Sequence, residues 1–505
     1  MIARMVAIGR SMLDVGCSAP SVQRFNPRTS SFGAFSPQAV KAVSAEMSAS
    51  TLQTQTPSPQ LAEQKRFPLL LRLFEPAPPA AVMLTDPAEI KAKHRYWERR
   101  IIVATIVGYA TFYFVRKNLS IAMPVMEKTL GVTKTDLGLF LTLHGVLYGV
   151  SKFVNGFFGD RCHVRTFMVT GLVLSATVNV FFGLSSAVGA LGMFWMINGW
   201  FQGMGFPPCA RAFTHWVPPR ELATKMSIWN ASTNIGAGLV VVICSYLLSY
   251  YGNWRLCFFV PAALAFLCAS FLWFALPDTP QSVGLPEVEG TQSKTSASDT
   301  GDWKAVAVKY VFSNPYIWLL AVANFFVYTI RYAMLDWGPT LLTQAKHLQL
   351  TRAGWMVAGF EISGMIGALI GGWLTDRLFG GRGFRSCVFY MAAVGCAILL
   401  FWKVAGQSVW LNTLLLCLSG FFIYGPQCLI SIAAANLATK RAAATAVGLT
   451  GFFGYASTTL SGWGLGKLVQ TYGWDAGFIG MLIVAAIGTF ACALGWKAKA
   501  HGYGD

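Results

Sequence analysis

The chain has 505 residues, of which 54% are hydrophobic and only 12% charged, with a mean hydropathy of +0.51. Soluble domains carry roughly 25% charged residues, so this composition excludes an ordinary soluble globular chain and indicates a polytopic membrane protein. The net charge of +18 does not point to nucleic acid, because the basic residues stand at the ends of apolar runs rather than in one patch.

Residues 1–82 stand apart. From Met1 to Gln60 the chain is rich in Ser and Ala and carries Arg4, Arg10, Arg24, Arg28 and Lys41 against two acids, Asp14 and Glu46. That bias fits an organellar transit peptide, and the stretch Arg24 to Phe32 is more plastid-like than mitochondrial. The expected location is therefore the plastid inner envelope. A disordered extension on a protein of the bacterial inner membrane is the alternative.

From about Ile101 to Gly495 the sequence offers about twelve apolar segments near the roughly 20 residues a spanning helix needs. Frequent Gly and Pro within them are what membrane bundles tolerate. The expected fold is all-α. Residues 83–277 form a first six-helix half, 278–310 a polar connecting loop and 311–505 a second six-helix half. No Gly-rich stretch follows a predicted strand, so nucleotide binding is not expected. Cysteines such as Cys162, Cys209, Cys244, Cys268 and Cys492 lack metal-site spacing and read as small core residues. No metal, cofactor or covalent chemistry is called for, and an enzyme is not expected.

Basic residues fill alternate connections. Lys91, Lys93, Arg95, Arg99 and Arg100 precede the first span, and Arg161, Arg165, Arg211, Arg220, Lys225, Arg377, Arg382, Arg385, Lys440 and Arg441 occupy every second loop. Both ends of the membrane domain should therefore share one positive face.

Two arginines break the apolar runs, Arg116 in Phe112–Asn118 and Arg331 in Val327–Tyr332. A cation near the bilayer centre costs about 2.5–3.5 kcal/mol on insertion scales, which argues for a buried anionic partner. The two are 215 residues apart, and Asp160-Arg161 recurs 216 residues later as Asp376-Arg377. Pro207-Pro208-Cys209 has a counterpart in Pro426-Gln427-Cys428 at a similar distance. Matching offsets imply duplicated halves, a transporter feature that puts the substrate near the midplane where the halves meet. Each Asp-Arg pair is expected just past the end of the second helix of its half. There it is either a gating latch that breaks during alternating access or a solvated interfacial pair of little energetic consequence.

The runs Tyr113 to Asn118, Tyr148 to Phe153, Gly199 to Cys209 and Ile330 to Trp337 resemble the organophosphate:phosphate antiporters of the major facilitator superfamily. The match runs from about Met83 to the end. Leu84 to Trp97 and Asn314 to Trp318 are most similar to the hexose-phosphate sensor/transporter branch. The resemblance implies that Arg116 and Arg331 grip a phosphoryl group with Lys152 close by, and that Tyr109, Tyr113, Tyr148, Glu361 and Tyr455 line the same cavity. Spacing agrees in part, since residues at i, i+4 and i+7 share a helix face and Tyr109, Tyr113 and Arg116 follow that spacing. Where the family pattern has histidine, in Trp229-Asn230-x-x-His-Asn234, this chain has Thr233, which can hydrogen bond but cannot change charge near neutral pH. His144 and His215 do not replace it by spacing and read as packed or interfacial residues.

The implied function is exchange of a sugar phosphate, such as glucose 6-phosphate, for inorganic phosphate within the lipid bilayer. A membrane sensor binding the same ligand without transport is the second reading. A proton-coupled carrier of neutral solutes fits least, because the intramembrane cations outnumber Glu361. Each chain holds both halves of a carrier, so a monomer is the default.

Overall fold

A computed structural model describes residues 73–159, 162–288, 308–403, 408–438 and 443–498. Helix α1 spans Pro87–Leu130, α2 Lys134–Gly159, α3 Val164–Leu184, α4 Val188–Gln202, α5 Phe206–Trp216, α6 Pro219–Tyr251 and α7 Leu256–Ala275. The second half contains α8 Pro315–Asp336, α9 Gly338–Gln344, α10 Leu350–Phe379, α11 Gly383–Lys403, α12 Val409–Leu437, α13 Ala443–Ala456 and α14 Leu465–Leu494. A π-helical turn, Thr459–Gly464, joins α13 to α14.

The helix ends are written locally. Asp86 caps α1 by accepting from the Ala88 and Glu89 amides with Pro87 at the first position, and Gly131 closes it at φ 66°. This is the usual asymmetry of an N-terminal polar cap with Pro and a C-terminal Gly. Asn314 and Pro315 repeat the start at α8. Among the described residues, nine helices are long and apolar enough to cross a membrane. That count omits α1, which carries the intramembrane cations, and the short α4, and it merges α13 with α14. Gly473, at φ 81°, divides α14, and α4 and α5 act as one span bent at 203–205. The result is six spans per half, as expected.

The equivalent proline motifs have different outcomes. Pro207 and Pro208 open α5 after a break, whereas Pro426 lies inside an unbroken α12. Gly203 and Gly205 keep right-handed angles at the break, and a side chain at 203 would collide with Ser151 on α2, so the glycines serve close packing there, while Tyr424 and Gly425 precede the second motif.

Part of the expected 1–82 extension belongs with the membrane domain; residues 1–72 lie outside the described residues. The Ala77 amide donates to Asp278 at 2.9 Å, the His163 amide donates to the Phe74 carbonyl at 2.8 Å, and the Leu84 amide to the Gly284 carbonyl at 2.8 Å. Asp278, expected to open the central loop, is 1% exposed. It also accepts from the Val164 amide at 3.0 Å and pairs with Arg211 at 3.7 Å. A buried carboxylate needs such partners. These bonds tie the approach to α1, the α2–α3 connection and the end of α7 together on the basic face.

The halves meet along two main seams, α6 against α10 and α2 against the α13–α14 region, and through a smaller contact of α1 with α8 and α9. On the first, Asn234 meets Glu361, Tyr246 meets Trp355 and Ser249 meets Thr351. On the second, Lys152 meets Tyr455, Thr142 meets the Thr458 carbonyl and the Lys134 amide meets Gln470. These contacts run from mid-depth to the face opposite the basic connections. Asn230, one turn from Asn234 toward the basic face, is exposed. The central space is closed on the far face and opens toward the basic one.

Candidate functional site

The site begins with a break in α1. Val115 has non-helical angles of φ −95° and ψ 16°, so its carbonyl needs another partner. Asn179 on α3 and Asn198 on α4 donate to that oxygen at 3.0 and 2.8 Å. Asn118 braces the arrangement by donating to the Asn179 side-chain oxygen and to the Cys257 carbonyl, each at 2.9 Å. All three asparagines are fully buried. They hold the bend from which Arg116 projects.

Arg116 is 8% exposed. Its guanidinium carbon lies 3.8 Å from the Tyr148 ring centroid and 5.4 Å from that of Tyr113. Face contact with tyrosine leaves the guanidinium edge donors available. Behind it, Tyr109 stacks on Trp229 at 4.6 Å and meets Tyr113 edge-on at 5.7 Å. Lys152, on the same helix as Tyr148, donates to the Tyr455 hydroxyl across the halves at 3.3 Å. Tyr455 also packs edge-on against Tyr148 at 4.9 Å.

Arg331, 6% exposed, donates to the Tyr424 hydroxyl at 2.9 Å and faces the rings of Tyr424, Tyr332 and Tyr328 at 4.6, 5.5 and 5.8 Å. The Tyr424 hydroxyl donates to Glu361 at 2.7 Å, and the Asn234 amide donates to the same carboxylate oxygen at 2.7 Å. Glu361 is fully buried and meets Arg331 through Tyr424. Its Oε1 and the Arg331 Nε are buried without a hydrogen-bond partner. Thr233 donates to the Asn230 carbonyl at 2.9 Å and to the Asn234 side-chain oxygen at 3.1 Å. Its hydroxyl is thus used by its own helix, next to the asparagine that holds Glu361.

Arg116 and Arg331 come from opposite halves and face different tyrosines, and the two sets are linked by a chain of edge-on ring contacts, Tyr148 to Tyr455 at 4.9 Å, Tyr455 to Tyr328 at 6.1 Å and Tyr328 to Tyr332 at 5.6 Å. The sequence reading did not assign Tyr328, Tyr332 or Tyr424 to the site. It also left the ion pair of Lys117 with Asp336 unassigned, although both lie inside apolar runs. The Lys117 Nζ is 2.5 Å from the Asp336 Oδ1, and their side chains are 7% and 10% exposed. An intramembrane acid in one half and an intramembrane base in the other were the available signal. With that pair neutralised, the described residues around the site hold three cations, Arg116, Arg331 and Lys152, against one carboxylate, Glu361, which Arg331 meets through Tyr424. A surplus of two positive charges on buried side chains favours a dianion.

Of the expected gating residues, Asp160 and Arg161 lie outside the described residues. Asp376 and Arg377 are exposed, and the Arg377 guanidinium lies 5.3 Å from the Trp373 ring centroid. They sit inside the last turns of α10, not past its end, because the helix continues to Phe379 and is closed by Gly380 at φ 57°. His144 is buried against Trp195 at 5.1 Å, with Nδ1 3.1 Å from the Trp195 carbonyl. It is a packed residue.

Residues 105–462 match the family described as the Major Facilitator Superfamily. A probable hexose phosphate transport protein of Chlamydia muridarum is 38% identical over 85% of this chain and 98% of its own length. A glycerol-3-phosphate transporter of Bacillus subtilis is 37% identical over 85% and 98%, and the membrane sensor protein UhpC of Escherichia coli 36% over 82% and 95%. Among solved structures, a bacterial homolog of the human lysosomal transporter Spinster, inward-facing and unoccupied, aligns with a TM-score of 0.64 at 15% identity, covering 79% of this chain and 95% of that one. At that identity the likeness establishes the fold alone.

Proposed function

Because this chain belongs to the major facilitator superfamily, in its organophosphate:phosphate antiporter branch, we propose that it exchanges a phosphorylated sugar for inorganic phosphate across a membrane by alternating access. The observation that carries the reading is the pair of buried arginines, one from each half, each set among tyrosines that a chain of ring contacts links across the halves, with a surplus of positive charge. Arginine offers a planar fork of donors to phosphate, where lysine is a point charge. Hexose phosphates are the expected cargo, in line with the Chlamydia relative.

The mechanism follows from charge. Empty, the site holds guanidinium groups of both halves in mutual repulsion in a space of low dielectric. A phosphoryl dianion between them replaces that repulsion with two charge-assisted contacts and draws the halves together around it. Closure on the basic face then competes with the contacts of the far face, Lys117–Asp336 included. A loaded carrier reorients and an empty one does not, so transport proceeds as exchange. Asp376-Arg377 and Asp160-Arg161 are assigned as polar contacts that form on the basic face in the alternate state.

Counterflow in proteoliposomes tests the proposal. Vesicles loaded with unlabelled phosphate should accumulate labelled glucose 6-phosphate, and those without internal phosphate should not. Uptake independent of internal phosphate overturns exchange. The similarity to UhpC favours one other reading, a sensor. Saturable glucose 6-phosphate binding without counterflow would select it. The plastid inner envelope is the proposed location, and residues 1–82 fused to a fluorescent protein should reach plastids; diffuse cytosolic signal counts against it.

A further inference from the structure

We propose that a cleft between the start of α1 and the end of α7, on the basic face, binds an anionic phospholipid. The cleft has a volume of about 610 Å³ and is lined by Arg95, Tyr96, Arg99, Arg100, Phe271 and Phe274 among others. Arg100 is its structural post. It donates to the Phe274 carbonyl at 2.7 Å, the Ala275 carbonyl at 3.2 Å and the Tyr96 hydroxyl at 2.9 Å. These bonds satisfy the last carbonyls of α7, which have no partner within their own helix, and they fix a guanidinium at the rim.

Arg95 and Arg99 are exposed and have no ion-pair partner among the described residues. The acids closest in sequence are engaged elsewhere, Glu89 with Lys93 at 2.8 Å and Glu98 with Lys225. Three cations therefore face an opening with no acid in its lining.

Below the arginines the chemistry changes. Val103 and Val107 on α1 are 57% and 42% exposed, and Leu267, Phe271 and Phe274 on α7 are 68%, 46% and 78% exposed. Spacings of three and four residues put each set in a column on one helix face. At 1.5 Å per residue, Arg99 to Val107 covers about 12 Å of depth. A charged rim over paired apolar columns matches a molecule with an anionic head and acyl chains. A soluble phosphate would have no use for the columns. Basic pockets between spans at the positive face are suited to such headgroups.

The full chain, stripped of lipid in detergent, would be titrated with phosphatidylglycerol and with phosphatidylcholine of the same chains, reading binding by native mass spectrometry. Phosphatidylglycerol should bind at least tenfold more tightly. The R95Q/R99Q variant should lose roughly 25-fold in phosphatidylglycerol affinity, taking about a factor of five per surface arginine, with phosphatidylcholine unchanged. R255Q, on the far face, should behave as the parent. Filling the groove with V103W, at a residue that lines it, should weaken both lipids while leaving the charge preference. Equal binding of the two lipids by the parent, or an undiminished preference in R95Q/R99Q, overturns the proposal. So does displacement of phosphatidylglycerol by an equal concentration of glycerol 3-phosphate, which would mark a site for soluble anions.

Discussion

Lys117 and Asp336 form a buried ion pair across the two halves, and each neighbours one of the site arginines in sequence: Lys117 follows Arg116 directly, and Asp336 lies five residues beyond Arg331. The pair therefore couples the positions of both arginines to closure of the far face. Removing one partner leaves a buried charge uncompensated, at about 3–5 kcal/mol, whereas removing both is far less disruptive. D336N and K117Q should each lower the melting temperature and slow phosphate exchange at least tenfold. The K117Q/D336N double variant should melt closer to the parent than either single variant. A double variant that melts below both would refute direct pairing.

R116K and R331K keep the charge but lose the fork. Charge-assisted hydrogen bonds contribute about 1.5–3 kcal/mol each, so loss of one contact should reduce phosphate exchange by roughly 10-fold to 100-fold. R331K also gives up the geometry of the Tyr424 contact and should be the worse of the two. Exchange of labelled phosphate in proteoliposomes decides the matter, and unchanged rates in both variants would eliminate bidentate gripping.

Asn179 and Asn198 share one acceptor, the Val115 carbonyl. Either N179L or N198L leaves the other donor in place, so N198L should cost about 1 kcal/mol; N179L also strands the Asn118 amide hydrogen it accepted and should cost about 1–3 kcal/mol more. In N179L/N198L the carbonyl is left buried and unpaired, adding about 1–3 kcal/mol, and the costs should exceed the sum of the singles. The apparent affinity for phosphate should fall as well, because Arg116 leaves the bend they hold. Melting curves and half-saturation constants measured together test this; strict additivity would mean the asparagines act independently.

Periodicity and charge made the spans, the duplicated halves and the two arginines legible, because an intramembrane cation is costly enough to stand out in any reading. The tyrosines of α8 and α12 were less visible. Tyr328 and Tyr332 are ordinary amphipathic residues near Arg331 on its own helix, and Tyr424 reaches Arg331 only through the packing of α8 against α12. The asparagine brace escaped notice for a related reason: Asn118, Asn179 and Asn198 are far apart in the chain, and the irregular backbone at Val115 that they satisfy has no proline to announce it. Asp376-Arg377 was misplaced by a few residues because helix ends are the least certain part of a periodic pattern, and the helix runs on to Gly380.

Thr233 supplies no titrating group beside Asn234 and Glu361. T233H would put an imidazole there, whose ordinary titration falls between pH 5 and 8. Protonation adds positive charge near the site as pH falls, so the rate of T233H divided by that of the parent should rise from pH 8 to pH 6. Taking the ratio removes the titration of phosphate itself. A ratio flat across that range would mean that position 233 does not sense the cargo.

Gly138 on α2 lies against the π-helical turn, where an added Cβ would fall well inside contact distance of the Gly462 carbonyl oxygen. Backbone cannot yield there as a side-chain end could, so G138A must push the far-face seam apart. Each kcal/mol of strain shifts the balance between far-face-closed and far-face-open states about fivefold. Spin labels at Lys128 and Tyr472, both exposed toward that face, should report a longer distance population in G138A than in the parent. G156A has open space around its Cβ position and should leave the distribution alone. An unaltered distribution in G138A would show that the seam has slack, and that closure of the far face depends on its polar contacts alone.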